Sequence, residues 1–395
     1  MQRLAFDLLS AKPKTGAPYE PSLNLREFLF GAALRRRPEL PTRIAAITGS
    51  NGKTTVKEML GSILKTWSAK KSQPTYISPA NQNTKLALAL QILRLPVETT
   101  FATFEIGARR MGDFQTPFSY VAPQVVTLLN VGTAHAGEFG SLENLTQEKL
   151  SALEFSSTEI LVFFGDDIRI LQKAHTQNKK LLSFGFLPHN DLQILAETED
   201  GISVRFKSDA FWVPCNYGGP QKALNMAAAF ATAFALGLPI NDIVTGLENF
   251  KGVERRFQRF KWLGRPAIDD AFNASPESMK EGLQYLASIA GSRKLLLVLG
   301  SMLELGEYTQ RAHEELGNFI LKTFPQKNFN LVLIGEETQA TLKTAQAQLF
   351  SGQVKHFMTS ADAKPYVEEL APSSEIIYFK ASKGLQLQKI FVRYE

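Results

Sequence analysis

Short apolar runs alternate along the chain with longer stretches in which apolar residues recur every three or four positions, the pattern of strands feeding amphipathic helices. Strand-like runs are read at Ile44 to Thr48, Thr103 to Ile106, Val125 to Asn130, Ile160 to Phe164, Lys294 to Gly300, Leu331 to Gly335 and Glu375 to Phe379. Each is followed by Gly, Asn, Asp or Ser and then a helix-like stretch, which predicts a mostly parallel sheet covered by helices. Between Leu187 and Pro214 the pattern changes to alternation through Ile202, Val204 and Phe206, predicting a hairpin-like insertion within or beside the first α/β unit. Lys222 to Leu238 reads as an Ala-rich helix, and another is expected to start at Pro239-Ile240-Asn241-Asp242 with Asn or Asp as its cap. Lys251 to Arg256 carries charge and glycine with little apolar content and marks a domain boundary. The expected organisation is a short segment 1–42, a central α/β domain 43–250 and a C-terminal α/β domain 251–395.

Composition narrows the class. With 395 residues, 44% of them hydrophobic, the chain can bury the cores of two or three domains, which excludes disordered and fibrous proteins. The 44 Lys plus Arg exceed the 38 Asp plus Glu by a net +6, a mild lean toward anionic partners. The basic runs Arg35-Arg36-Arg37 and Lys179-Lys180 are short and lack interleaved aromatics, so they read as solvated faces and no nucleic acid partner is expected. Cys215 is the only cysteine, which rules out intrachain disulfides and multi-cysteine metal sites. Apolar stretches such as Ala227 to Ile240 fall short of the roughly 20 residues of a membrane span, and Asp7 interrupts any signal-peptide core. A cytoplasmic protein without membrane insertion is expected.

Strand-like Arg43 to Ile47 runs into Thr48-Gly49-Ser50-Asn51-Gly52-Lys53-Thr54-Thr55, and helical periodicity resumes from Val56 to Leu64. Strand, glycine loop and helix are what phosphate binding requires: backbone N–H groups turn toward the anion, the helix N-terminus adds positive potential, and a lysine reaches the β- and γ-phosphates. Lys53 is the candidate for the phosphates of ATP, and the Thr54 hydroxyl for Mg²⁺. The spacing is two residues shorter than the general G-x4-G-K-[ST] form, so a plain strand-to-helix turn stays open. A carboxylate at a neighbouring strand end would complete the metal site, and Glu105 in Thr103-Phe104-Glu105-Ile106-Gly107-Ala108 is placed for it. It could also be an ordinary strand-terminal acid.

The string Ile47 to Thr55 resembles the ATP loop of the Mur ligase family, which joins a carboxylate to an amine through an acyl-phosphate. The resemblance implies a central P-loop ATPase-type domain with a mostly parallel sheet and a C-terminal Rossmann-like α/β domain. It also implies that Gly49, Ser50, Asn51, Gly52, Lys53, Thr54 and Thr55 hold the nucleotide. Further strings match in order. Thr103 to Ala108 is similar to the family's E-x-G-A, with Glu105 as a metal ligand. Asn130 to Ser141 resembles N-x-x-x-A-H-x-x-x-F-G-S, which implies that His135 assists the metal and acyl-phosphate region. Lys149 follows at the place of a lysine carbamylated by CO₂, a modification that turns a cation into an anion suited to a second Mg²⁺; a plain surface lysine is the alternative. Asn81-Gln82-Asn83-Thr84 resembles N-x-N-N and implies substrate contacts from Asn81, Asn83 and Thr84, although Lys85 and Ala87 replace a common acid and glycine. Gly219 and Asn225 match G-x-H-N-x-x-N, implying adenine contact by Asn225, while Gln221 and Lys222 depart from it.

Arg256 resembles the arginine that reaches the γ-phosphate when the domains close. Asp269 to Met279 is similar to D-D-x-Y-N-A-N-P-x-S-M of the branch that adds D-alanyl-D-alanine to a UDP-linked muramoyl-tripeptide. That similarity implies that Asp270 and Asn273 hold ribose and nucleotide or orient the amine, with Asn273 and Ser275 touching substrate. Leu299 to Glu307 with His313 matches L-G-D-M-x-E-L-G-E…H of the same branch, with Ser301 in place of Asp, and Lys380-Ala381-Ser382-Lys383 echoes K-G-S-R. Typical members place a whole domain before the phosphate loop, whereas 48 residues precede Gly49, so a reduced uridine-binding segment is expected. The implied activity is that of an ATP- and Mg²⁺-dependent ligase acting as a monomer on a UDP-muramoyl-peptide and D-Ala-D-Ala. An amide ligase for another carboxylate and a non-catalytic nucleotide-binding scaffold are the alternatives.

Overall fold

The computed structural model describes residues 23–80, 82–132, 136–215, 217–325, 328–346 and 354–391. Asn81 and His135, expected at the site, lie outside the described residues. The strands of the first sheet are β1 (Arg43–Thr48), β2 (Thr75–Ile77), β3 (Phe101–Glu105), β4 (Val125–Leu128), β5 (Ile160–Phe164), β6 (Lys180–Gly185), β7 (Leu192–Thr198), β8 (Gly201–Phe206) and β9 (Asp209–Pro214). They form a nine-stranded sheet in the order β2-β3-β1-β4-β5-β6-β7-β8-β9. Pairing is parallel from β2 through β7 and antiparallel from β7 to β9. β1 has β3 on one side and β4 on the other, so the strand order reverses there and the loops leaving β1, β3 and β4 open a crevice at the carboxyl edge.

The helices in this half are α1 (Leu23–Arg36), α2 (Lys53–Lys71), α3 (Lys85–Arg94), α4 (Gln115–Val121), α5 (Ala136–Phe139), α6 (Leu142–Ser151), α7 (Ile168–His175), α8 (Lys222–Leu236) and α9 (Ile240–Glu248). Val56, Met59, Leu60, Ile63, Leu64 and Trp67 recur at helical spacing on α2 and pack with α8 and α9 in one core. α8 is buried nearly all round, which explains its Ala-rich composition. Leu88, Ile92, Phe118, Leu145 and Ile170 belong to a second core that holds residues of β3, β4 and β5.

Two local expectations change. The alternating segment is a three-stranded meander that extends the sheet itself, because β7 pairs with β6 at Phe184 and Leu192. Helix α9 is capped by Pro239 with no side-chain cap bond; Asp242 sits inside its first turn and pairs instead with Lys70 of α2 at 2.5 Å.

The second sheet comprises β10 (Gln258–Trp262), β11 (Arg265–Asp269), β12 (Leu295–Gly300), β13 (Phe329–Ile334), β14 (Val354–Phe357) and β15 (Ile376–Lys380), in the order β10-β11-β15-β12-β13-β14. Only the β10–β11 pair is antiparallel. Its two-residue turn, Leu263-Gly264, has φ 47° and 74°; a leucine at a position that usually selects Asn or Gly hid this hairpin from the sequence. Helices α10 (Pro276–Ala290), α11 (Thr309–Thr323), α12 (Gln339–Gln346) and α13 (Ser360–Leu370) accompany these strands, and two further cores form around them. The halves meet backbone to backbone where a Cβ on Gly137 would stand 2.5 Å from the Gly306 nitrogen, an approach only glycine permits.

Candidate active site

The loop after β1 enters α2 through Gly52, whose φ of 84° suits glycine and which caps the helix without a side chain. A Cβ there would also stand 2.7 Å from Asn225 Oδ1. The first N–H groups of α2 therefore have neither an intrahelical nor a side-chain acceptor, the condition for binding an anion. Farther up the loop the amides are taken: Ser50 and Asn51 N–H donate to Asn130 Oδ1 at 3.0 and 2.9 Å, and the Asn130 amide donates to Asn51 O at 3.1 Å. Asn130 thus sets the loop's shape from the end of β4. The Lys53 ammonium donates to Gly49 O and Ser50 O, both at 2.9 Å. Burial pulls its pKa below the usual lysine value; the nearby Glu105 opposes this and Arg256 adds to it.

Glu105 ends β3 within the cleft. Its carboxylate accepts the Thr54 hydroxyl at 2.8 Å and the Asn83 amide at 2.7 Å. One carboxylate and one hydroxyl, hard oxygen donors beside a phosphate loop, suit Mg²⁺, which is commonly held by one or two carboxylates with phosphate oxygens. Thr84 caps α3 by accepting Ala87 N–H, and Lys85 pairs with Asp113 at 2.8 Å. Two Asp113 backbone contacts, from Arg109 and Arg110 N–H, and its bond to Lys85 outweigh burial and hold its carboxyl below the usual range.

From the second half come Arg256, Phe272, Asn273, Ser278, Leu303, Glu304, Ser382 and Lys383, which close a cleft of about 450 Å³ with the phosphate loop, Asn83, Thr84 and Glu105. The Arg256 guanidinium stacks on the Phe272 ring at 4.1 Å. Burial lowers its pKa from the ordinary arginine value, against the opposing pull of Asp270 and Glu105. Asp270 itself accepts the Lys380 ammonium at 2.5 Å, the Tyr378 hydroxyl at 3.1 Å and the Phe257 N–H at 3.2 Å. Between the halves, Gln221 donates to Glu281 at 2.5 Å and Arg109 lies 3.7 Å from Glu304, with Glu138 of its own half at 3.8 Å.

The Mur ligase middle-domain family model matches residues 47–233, and the model described as Mur ligase, glutamate ligase domain matches residues 255–383. The UDP-N-acetylmuramoyl-tripeptide--D-alanyl-D-alanine ligase of Bacillus subtilis is 31% identical over 358 residues, 89% of this chain and 76% of that protein. The chain belongs to the Mur ligase family. The enzyme of the same name from Haemophilus influenzae is 30% identical over 90% of this chain and 77% of its own length. A crystal structure of MurF from Acinetobacter baumannii superposes with a TM-score of 0.82 at 28% identity, covering 95% of this chain and 82% of that one. Mur ligases are ATP-dependent, ADP-forming ligases.

Lys149 is not the plain surface lysine that was the alternative to the Mur ligase reading. It is 1% exposed, donates to Ala108 O at 3.1 Å and lies over the rings of Phe114 and Phe139 at 5.4 and 5.7 Å. Burial, with the Lys53 charge, lowers its pKa to about 7. Its neighbour Glu148 accepts Gly112 and Phe114 N–H at 2.7 and 2.9 Å and so fixes the loop after β3. Thr55 is buried in the first turn of α2. Ser275 does not face the cleft as expected; its hydroxyl accepts Ser278 N–H as the cap of α10, and Ser278 lines the cleft in its place. Asn225 stands under Gly52, and Asp270 and Lys149 lie behind the lining.

One departure from the Mur ligase strings, Lys222, and one match to them, His313, have structural roles. Lys222 is 2% exposed, donating to Thr198 O at 2.5 Å and Glu199 O at 3.0 Å, and ties the β7–β8 turn to α8. His313 is fully buried: its Nδ1–H donates to Thr309 O at 2.8 Å, which leaves Nε2 to accept Met302 N–H at 3.1 Å. It is a strut for the loop bearing Leu303 and Glu304. Asn130, Phe272, Lys85 with Asp113, and Glu148 were not singled out as site residues from sequence. Asn130 and Phe272 were visible inside their strings and Lys85 as a departure from N-x-N-N, whereas Asp113 carries no local signal.

Proposed function

We propose that the chain joins D-alanyl-D-alanine to UDP-N-acetylmuramoyl-tripeptide, with ATP as phosphoryl donor, in peptidoglycan precursor synthesis. The observation that carries this reading is a single cleft in which a phosphate loop and Glu105 of one half face Arg256 of the other. The relatives that bear this activity in their names match about nine-tenths of the chain.

Gly49 to Thr55 and Lys53 above all would seat the ATP phosphates. Thr54 and Glu105 would hold one Mg²⁺, and His135 with carbamylated Lys149 a second; bound, these ions would offset charge on the phosphates. The tripeptide carboxylate oxygen attacks the γ-phosphorus and the bond to ADP breaks, giving an acyl-phosphate. Arg256 forks onto the transferring group, where a guanidinium stays charged. The free amine of the dipeptide then attacks the acyl carbon, phosphate leaves and the amine loses a proton. Asn81, Asn83 and Thr84 are assigned to the acid substrate, Asn273 to the incoming amine, and Asn225 and Asp270 to the nucleotide side. Domain 43–250 handles ATP and the acid, domain 251–395 delivers the amine, and segment 1–42 meets the UDP-linked end. Closure over these groups excludes water from the acyl-phosphate. The protein is assigned to the cytoplasm as a monomer.

The test is phosphate release with UDP-muramoyl-tripeptide plus D-Ala-D-Ala, compared with each left out. Release that needs both supports the reading; release with another acid, or ATP binding without turnover, overturns it.

A further inference from the structure

We propose that Lys57 is a positioning residue for the acid substrate, acting through the loop that carries Asn83 and Thr84; this rests on the reading that those residues meet the acid. Lys57 lies on α2 one turn beyond Lys53, and its side chain is fully buried. Its ammonium donates to Ser78 O and to Ala80 O, both at 2.6 Å, and pairs with Glu58 at 2.6 Å. Two backbone carbonyls and one carboxylate thus surround the ammonium.

The anchored segment is strained. Ala80 has φ 42°, in the left-handed region that a residue with a Cβ disfavours, and Ala80 is exposed, so no packing around its side chain holds it there. The Lys57 contact to its carbonyl supplies that restraint. The loop then delivers Asn83, whose amide donates to Glu105 at 2.7 Å, and Thr84, which caps α3. Lys53 and Lys57 thus divide one helix: the first turns to the phosphates, the second fixes the wall on which the acid would rest. No short motif marks Lys57, because the carbonyls it holds lie more than twenty residues ahead in the chain.

The experiment compares parent, Lys57→Met, Lys57→Gln and Lys57→Met with Ala80→Gly in steady-state ligation of UDP-muramoyl-tripeptide and in calorimetric ADP binding. Turnover by the parent establishes the reaction, so a failure of that reading appears before any variant is made. For Lys57→Met, KM for the tripeptide should rise at least tenfold while ADP affinity stays within twofold and kcat within threefold. Ala80→Gly, which removes the left-handed penalty, should return KM to within threefold of the parent. If Lys57→Met is not folded, Lys57→Gln is judged by the same KM criterion. An unchanged KM, a parallel loss of ADP affinity, or no recovery from Ala80→Gly overturns the proposal.

Discussion

The Arg256 guanidinium carbon lies 4.1 Å from the centre of the Phe272 ring, so an arginine of the second half that lines the cleft beside the phosphate loop is backed by an aromatic neighbour. The ring restrains the guanidinium before any phosphate arrives, and a partly desolvated cation–π contact contributes about 1–2 kcal/mol. Phe272→Leu should therefore lower kcat/KM by about 5- to 30-fold, whereas Phe272→Tyr keeps the ring and should stay near the parent. Arg256→Ala should cost about 10²–10³ in kcat. Steady-state kinetics of phosphate release checks all three, and a Phe272→Leu enzyme at full rate would remove the positioning role.

Lys53 rests on Gly49 O and Ser50 O at 2.9 Å, poised at the rim of the uncapped helix N-terminus. Lys53→Ala removes the only ammonium the loop presents but no core contact. Amine-dependent phosphate release should fall by at least about a hundredfold with an unchanged circular dichroism spectrum. Near-normal turnover would show that the loop serves as a turn rather than a phosphate site.

How far the site could be read from the chain depends on sequence distance. Gly49 to Thr55 is contiguous, so strand, loop and helix were all legible, and Glu105 followed from the rule that strand ends line the crevice of a parallel sheet. The apolar runs likewise marked the centre of both sheets, β1, β3, β4 and β5 in the first and β12, β13 and β15 in the second, but not β2, β6, β10, β11 or β14. What escaped was fixed by distant pairing: Asn130 bonds to the loop across 79 and 80 residues, and Lys380 meets Asp270 across 110. Such contacts exist only once the register of the strands is set. Ser275 was misplaced for a related reason, since a serine before Pro276 satisfies a helix cap as readily as it meets a ligand.

Glu281 accepts Gln221 across the domain boundary at 2.5 Å, and burial raises its pKa to about 7, partly offset by that hydrogen bond and Lys380 and reinforced by Glu277 and Asp270. A raised carboxyl pKa means that the folded state holds its proton while the unfolded chain releases it. Its contribution is fully present below about pH 4.5 and is lost as pH rises to about 7. Glu281→Gln does not titrate, so the Tm of the variant relative to the parent should climb between pH 5 and 7 and then level, each value read by calorimetry at about 0.15 M salt. A constant difference across that range would mean that Glu281 is already ionised in the folded protein.

Lys149 links burial to chemistry. Carbamylation forms an N–C bond from a neutral amine to CO₂ and releases a proton, so it needs the unprotonated lysine, and an ordinary lysine is almost wholly protonated at neutral pH. Burial and the Lys53 charge bring Lys149 to about 7, which leaves a large neutral fraction at pH 7 to 8. Enzyme freed of CO₂ should be slow at pH 6 and at pH 8 and regain activity with added bicarbonate, with the larger gain at pH 8, where more of the lysine is neutral. A carbamate signal from ¹³C-bicarbonate should be present in the parent and absent in Lys149→Met, which should be inactive. The stability effect has the opposite sign to that of a paired lysine. Because the folded pKa lies below the unfolded value of 10.5, the folded state binds fewer protons between about pH 7 and 10.5, and stability rises with pH in that window. Lys149→Met has no such gain, so its Tm relative to the CO₂-free parent should be highest near pH 7 and fall steadily toward pH 10. A flat difference would place an ordinary, protonated lysine at this position, and the carbamate signal would then be missing from the parent as well.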